Sequence, residues 1–193
     1  MRKAILIAVL AAALSLSGCA GNGLPSVPSG SDVWVSAMGD WPYYNNAAEI
    51  ADAAKNVFVG EVTDISFEIY DIRTGKPDRS YDPANITRLL NTVYTVKVKK
   101  SYKGENGETE IVVREGGTVG YKEDEQKALL REAGLSDGSK IQVVAGKFPD
   151  LKVGGSYLFC VVKRGDCCRI INPEQFAFDV SSATAQAIVR HAG

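Results

Sequence analysis

Few side chains in this 193-residue chain could carry covalent or metal chemistry. There are four cysteines, Cys19, Cys160, Cys167 and Cys168, and one histidine, His191. A zinc site needs a second closely spaced pair of thiols or imidazoles. The three late cysteines lack one, and His191 lies well beyond them, so no metal is expected. The three thiols leave two readings open. One disulfide joins Cys160 to Cys168, or to Cys167, across a hairpin; or all three are buried free thiols. The chain has no His-Glu-x-x-His and no phosphate-cradling glycine loop. His191 reads as a cation near the end of a terminal helix, where it suits the helix dipole. The acids Glu123-Asp124-Glu125 read as a solvated helix start, and no loop alternates oxygen ligands for calcium. The expectation is a non-enzymatic protein without catalytic residues, cofactor or metal.

Cys19 is the exception, because its surroundings assign it a chemistry. Arg2 and Lys3 precede an unbroken apolar run, Ala4–Leu14. Eleven apolar residues are too few to cross a bilayer as a helix, which takes roughly 20. Their length and flanks are those of a secretory signal peptide. The run leads into Leu16-Ser17-Gly18-Cys19, which resembles the lipobox of bacterial lipoproteins. That resemblance implies cleavage of the Gly18–Cys19 bond and a lipid on Cys19. One acyl chain holds a protein only marginally. The family carries at least two, so the membrane becomes a partner and the location extracytoplasmic.

Residues 1–18 are thus expected to be removed as a lipoprotein signal peptide, leaving 175 residues. Arg2 and Lys3 go with them, taking the net charge from −1 to −3. Such a balance gives no reason to expect nucleic acid. Residues 19–32 are rich in Gly, Ser and Pro and read as a flexible tether behind the lipid. Residues 33–193 are long enough for one domain with a real core.

Hydropathy patterning outlines that domain. Ala47–Lys55 favours a short helix closed by Asn56. A long strand follows over 57–72, with Val57 and Val59 on one face and Ile65, Phe67 and Ile69 sharing a face further on. Gly60 and Asp64 interrupt the rhythm and suggest a bulge or sharp bend. Residues 71–91 read as a long polar loop. Thr92–Tyr102 alternates cleanly and is paired by a turn at Lys103–Gly107 to a strand at Glu108–Arg114. Glu123–Ala133 reads as a helix stopped by Gly134. Short strands are expected at Ile141–Ala145, Ser156–Lys163, Cys168–Ile171 and Phe176–Val180, then a helix at Ser182–His191. Five or six strands with inserted and terminal helices give a mostly β domain, a small closed barrel.

Four blocks in order, ADAAKNVFVGEVTDI, YTVKVKKSYKG, EIVVREGG and LKVGGSYLFCV, resemble netrin-like and TIMP-like (tissue inhibitor of metalloproteinases) modules, which fold as OB barrels. Val57–Val62 with Gly60 is similar to their first barrel strand. Tyr94–Gly104 is similar to the second strand and its exit, and Leu151–Phe159 to a later one. The animal inhibitors chelate the protease zinc through a free N-terminal cysteine. Here the corresponding end, Cys19, is expected to be acylated, and the cysteines that anchor such a ridge are absent.

Two functions fit these observations. The first is a surface-displayed binding module using the loops at 71–91 and 115–139, with Trp34, Trp41, Tyr43 and Tyr44 as aromatic candidates and a cell-surface protein as partner. The second is a protease inhibitor acting through a loop. Arg164-Gly165-Asp166 spells an integrin tripeptide, but Gly and Asp are also what a hairpin turn needs. Asn85-Ile86-Thr87 is a glycosylation sequon that a bacterial lipoprotein would not use.

Overall fold

A computed structural model describes residues 33–36 and 40–193. The signal segment, Cys19 and the tether lie outside the described residues. Nine strands and three helices follow in the order β1 (Val33–Ser36), α1 (Ala47–Ala53), β2 (Asn56–Asp71), β3 (Lys76–Pro77), β4 (Arg88–Lys103), β5 (Thr109–Glu115), α2 (Glu123–Glu132), β6 (Ile141–Val144), β7 (Ser156–Arg164), β8 (Cys167–Ile170), β9 (Ala177–Asp179) and α3 (Ala183–Ala192). The protein is mostly β, as its patterning implies.

Seven strands form one sheet in the order β3-β2-β4-β5-β8-β7-β9, and β7 also pairs with β2. The pairings therefore run from β2 through β4, β5, β8 and β7 and return to β2. All are antiparallel except β5 with β8, which meet at only two registers, Val112↔Cys168 and Val113↔Arg169. Phe58, Val62, Tyr94, Val96, Phe159 and Ile170 are among the side chains that fill the core between them. Phe58 and Phe159 stack with ring centroids 5.4 Å apart.

β2 bends as its sequence suggests. Its register against β4 shifts between Val57 and Phe58, between Val59 and Gly60, and between Val62 and Asp64. A Cβ on Gly60 would lie 2.4 Å from Val96 Cγ1 and 3.2 Å from the Lys97 carbonyl, so only glycine allows this approach. Along its length β2 serves the three larger cores, and its Tyr70 joins a small cluster on the outer face. Phe58, Val62 and Ile65 enter the central one. Val57 and Val59 face outward, under α1 and α3, with Ile50, Ala51 and Ile188. Phe67 and Ile69 meet Leu129 and Leu130 of α2, Leu90 of β4 and Ile141 of β6.

The helix ends follow local chemistry. Asn46 caps α1 by accepting from the Glu49 N–H at 3.0 Å, while the Glu49 carboxylate accepts from the Asn45 N–H. The first bond satisfies a donor the helix leaves free, and the second holds the residue before the cap. The helix stops at Ala53 and not at Asn56, whose side chain instead pins the start of β2. It donates to the Glu105 carbonyl and accepts from Lys163 N–H. Ser182 caps α3 through the Ala185 N–H. Gly134, at φ 71°, ends α2 as its sequence predicts.

Three features differ from the sequence reading. β1 pairs in parallel with β6, so Ile141–Val144 belongs to a separate two-stranded sheet. The polar loop is shorter than 71–91, because β3 folds back on Tyr70 and Asp71 and β4 begins at Arg88. Among the described residues nine strands stand where five or six were expected, since β1 and β3 are short and add little periodic signal.

Candidate functional site

The three late cysteines lie in three different places. Cys160 belongs to the core under α1 and α3, Cys168 to the central core, and Cys167 to a small cluster on the outer face with Tyr70, Val93 and Val113. All are buried free thiols. The β7–β8 register sets Lys163 opposite Cys168 and Arg164 opposite Cys167, so each cysteine is three or four residues from the position facing Cys160. At about 3.3 Å per residue that offset exceeds the roughly 7 Å limit for bridging Cα atoms. Burial pushes the Cys160 thiol up to about 12, and burial together with the Glu110 carboxylate does the same to Cys168.

Other candidate residues fall into structural roles. His191 is exposed in the last turn of α3. Glu123, Asp124 and Glu125 occupy the first turn of α2, and Glu123 accepts from the Gly120 N–H. Asn85 closes a turn on itself, accepting from the Thr87 N–H and hydroxyl. Gly134-Leu135-Ser136-Asp137-Gly138 matches the Gly-x-Ser-x-Gly pattern in letters only. A nucleophile elbow joins a strand to a helix, whereas this segment leaves the end of α2. Among the described residues no three His, Cys, Asp or Glu side chains converge as metal ligands would.

What the structure does bring together is a groove of about 900 Å³ across the outer face of β5, β8 and β7. Its floor is apolar, from Tyr70, Ile111, Val113, Val162 and Cys167. One wall is the turn 73–75 after β2 together with β3. A second is the hairpin tip Arg164-Gly165-Asp166, where Gly165 at φ 60° makes the turn. The third is the segment Asp40-Trp41-Pro42 with Tyr44. The expected loop 71–91 and the expected aromatics Trp41 and Tyr44 thus meet at one place. Tyr43 is exposed away from it, and the side chain of Trp34 lies outside the described residues. The loop 115–139 contributes only Glu115.

Arg169 organises the floor. Its guanidinium lies 4.6 Å from the centroid of the Tyr70 ring and donates to Asn91 Oδ1 at 3.2 Å and to the Gly75 carbonyl at 3.4 Å. It therefore ties β8 to β4 and to the β2–β3 turn. Nearby, burial raises the pKa of Glu115, an effect the charge of Arg169 partly opposes. The sequence carried a signal for this pair. Ile111, Val113 and Glu115 share the outward face of β5 by their period of two. An apolar stripe ending in an acid on an outer face implies a partly covered surface.

No protein-family model and no curated protein matches the chain.

Proposed function

We propose that this protein is an envelope lipoprotein, held outside the cytoplasm by lipid on Cys19, whose domain is an OB-like barrel that binds a ligand without transforming it. The barrel reading is supported by the connectivity. β2, β4 and β5 form an antiparallel meander, α2 lies between β5 and β7, β8 runs parallel to β5, and β7 returns to β2. That succession fits a five-stranded Greek-key barrel of OB type and agrees with the resemblance to netrin-like and TIMP-like modules. The lipid anchor rests on the Leu16-Ser17-Gly18-Cys19 motif behind its apolar run.

The observation that carries the binding function is the groove. An apolar floor with a few converging charged groups is the usual make-up of a ligand site. It is built mainly from four separate stretches of chain that the fold brings together. The test is capture from solubilised envelope by the full chain and by two groove variants. Ile72 and Arg164 are exposed at the groove, so Ile72→Asp and Arg164→Glu should leave folding intact. A partner retained by wild type and lost by both variants supports the reading. Equal capture by all three, or inhibition of a protease unaffected by either substitution, contradicts it.

A further inference from the structure

We infer that the groove holds a small zwitterionic amino compound, an apolar amino acid or dipeptide, with its ammonium on Glu115 and its carboxylate on Arg169. This rests on the reading of the groove as a binding site and adds the class of ligand.

The juxtaposition of these two side chains carries the inference. Val113 pairs with Arg169 across the parallel seam of β5 and β8, and Glu115 is two residues beyond Val113 on the same face. The two charges are thus diagonal neighbours on adjacent strands. They are close enough for Arg169 to act on the ionisation of Glu115, yet no ion pair within 4.0 Å joins them. Among the described residues the Glu115 carboxylate accepts no hydrogen bond. Among the described residues Arg169 is bound only by neutral oxygens, those of Asn91 and Gly75, and by the face of Tyr70, and it meets no carboxylate. Burial of the two charges costs desolvation, and for Glu115 the attraction of Arg169 offsets it only in part.

A ligand offering an ammonium to one and a carboxylate to the other offsets both. A simple cation would meet Glu115 but face Arg169, and a simple anion would meet Arg169 but face Glu115. Only a group with both signs a few ångströms apart suits the pair. Tyr70, Ile111 and Val113 form an apolar surface beside it, which suits an apolar side chain. The other charges at the groove are less suited to the role. Arg73 already pairs with Asp71 at 3.6 Å, and Asp40, Lys76, Arg164 and Asp166 are exposed to solvent. The volume lies within the roughly 300–1,000 Å³ typical of small-ligand sites.

The test is calorimetric titration of the full chain in detergent with L-phenylalanine and the dipeptide Ala-Phe. N-acetyl-phenylalanine and phenylalanine amide serve as the blocked forms. Saturable binding of at least one zwitterion is expected, weakened about tenfold or more by blocking either charge. Glu115→Gln should abolish the preference for the free amine and keep that for the free carboxylate. Arg169→Gln should do the reverse. Should Arg169→Gln fail to fold, the blocked ligands and Glu115→Gln still decide the matter. Absence of zwitterion binding by wild type, or equal binding of the blocked forms, overturns the inference. Groove-dependent capture of a protein without zwitterion binding would overturn the ligand class and leave the binding-module reading standing. Loss of both would overturn the two together.

Discussion

Glu110 carries its charge inside the protein because donors converge on it. Burial opposes ionisation, but the Lys163 ammonium at 2.7 Å, the Gly107 N–H at 2.7 Å and the Cys168 thiol at 3.5 Å outweigh it and lower its pKa. A carboxyl whose pKa is lower folded than unfolded stabilises the fold above its unfolded value. It loses that contribution as pH falls through the folded one. Thermal melts should therefore show wild type losing stability from about pH 5 downward. Glu110→Gln should be about 1–2 kcal/mol less stable at pH 7, a figure kept low because Lys163 is partly exposed, and less sensitive to acid. Equal acid sensitivity would remove Glu110 from the explanation. The thiols give a second check at this scale. With Cys160 and Cys168 pushed up to about 12 and buried, iodoacetamide at pH 8 should label neither in the native protein and both after denaturation. Rapid native labelling would contradict their placement. Sequence alone left a disulfide and buried thiols as equal readings. The spacing 160, 167, 168 announces a hairpin, but which face each thiol takes depends on the register, and register is a tertiary property.

At the scale of elements, Gly60 and Arg88 govern the longest strands. Gly60→Ala forces a methyl into Val96, and overpacking of this kind costs roughly 1–3 kcal/mol. Urea unfolding of that variant should shift its midpoint accordingly, and an unchanged midpoint would show that β2 relaxes freely there. Arg88 is 1% exposed and donates to the carbonyls of Ser80, Asp82 and Ala133, holding the loop after β3 against the end of α2. Arg88→Met should leave the Ser80 and Ala133 carbonyls without this donor, with Asp82 keeping only the Asn85 N–H, and make the 78–87 segment a preferred site for limited proteolysis. Cleavage no faster than in wild type would show that the loop is held elsewhere. These two positions also mark where sequence reading succeeds and fails. The bend at Gly60 was legible because a glycine interrupts a clear alternation. The start of β4 was not. From Arg88 to Asn91 the strand is largely covered on both faces, with Leu90 and Asn91 fully buried, so the alternation that identifies a strand vanishes.

For the whole molecule, the mostly β class and the order of the ring strands were readable, since each long strand has its own periodic run. The closing contacts were not. β5 and β8 meet at two registers only, and nothing in either segment names the other as partner. The groove was less legible still. Its lining comes from segments near residues 40–44, 70–77, 111–115 and 162–171, and only their convergence makes it a site. Among the described residues no helix is long and apolar enough to cross a membrane. The proposed anchor on Cys19 rests on the Leu16-Ser17-Gly18-Cys19 motif. Globomycin, or Cys19→Ala, should leave the protein unprocessed or released, whereas unchanged retention of the mature form would contradict the anchor.

The central claim is that an anchored domain binds through this groove. Its most direct test is photocross-linking in intact cells, with a photoreactive residue at Ile72 beside the groove and, as control, at exposed Val153 away from it. A discrete adduct from position 72, absent from position 153 and lost on Arg169→Gln, is the predicted result. Equal adducts from both positions, or none from position 72, would contradict it.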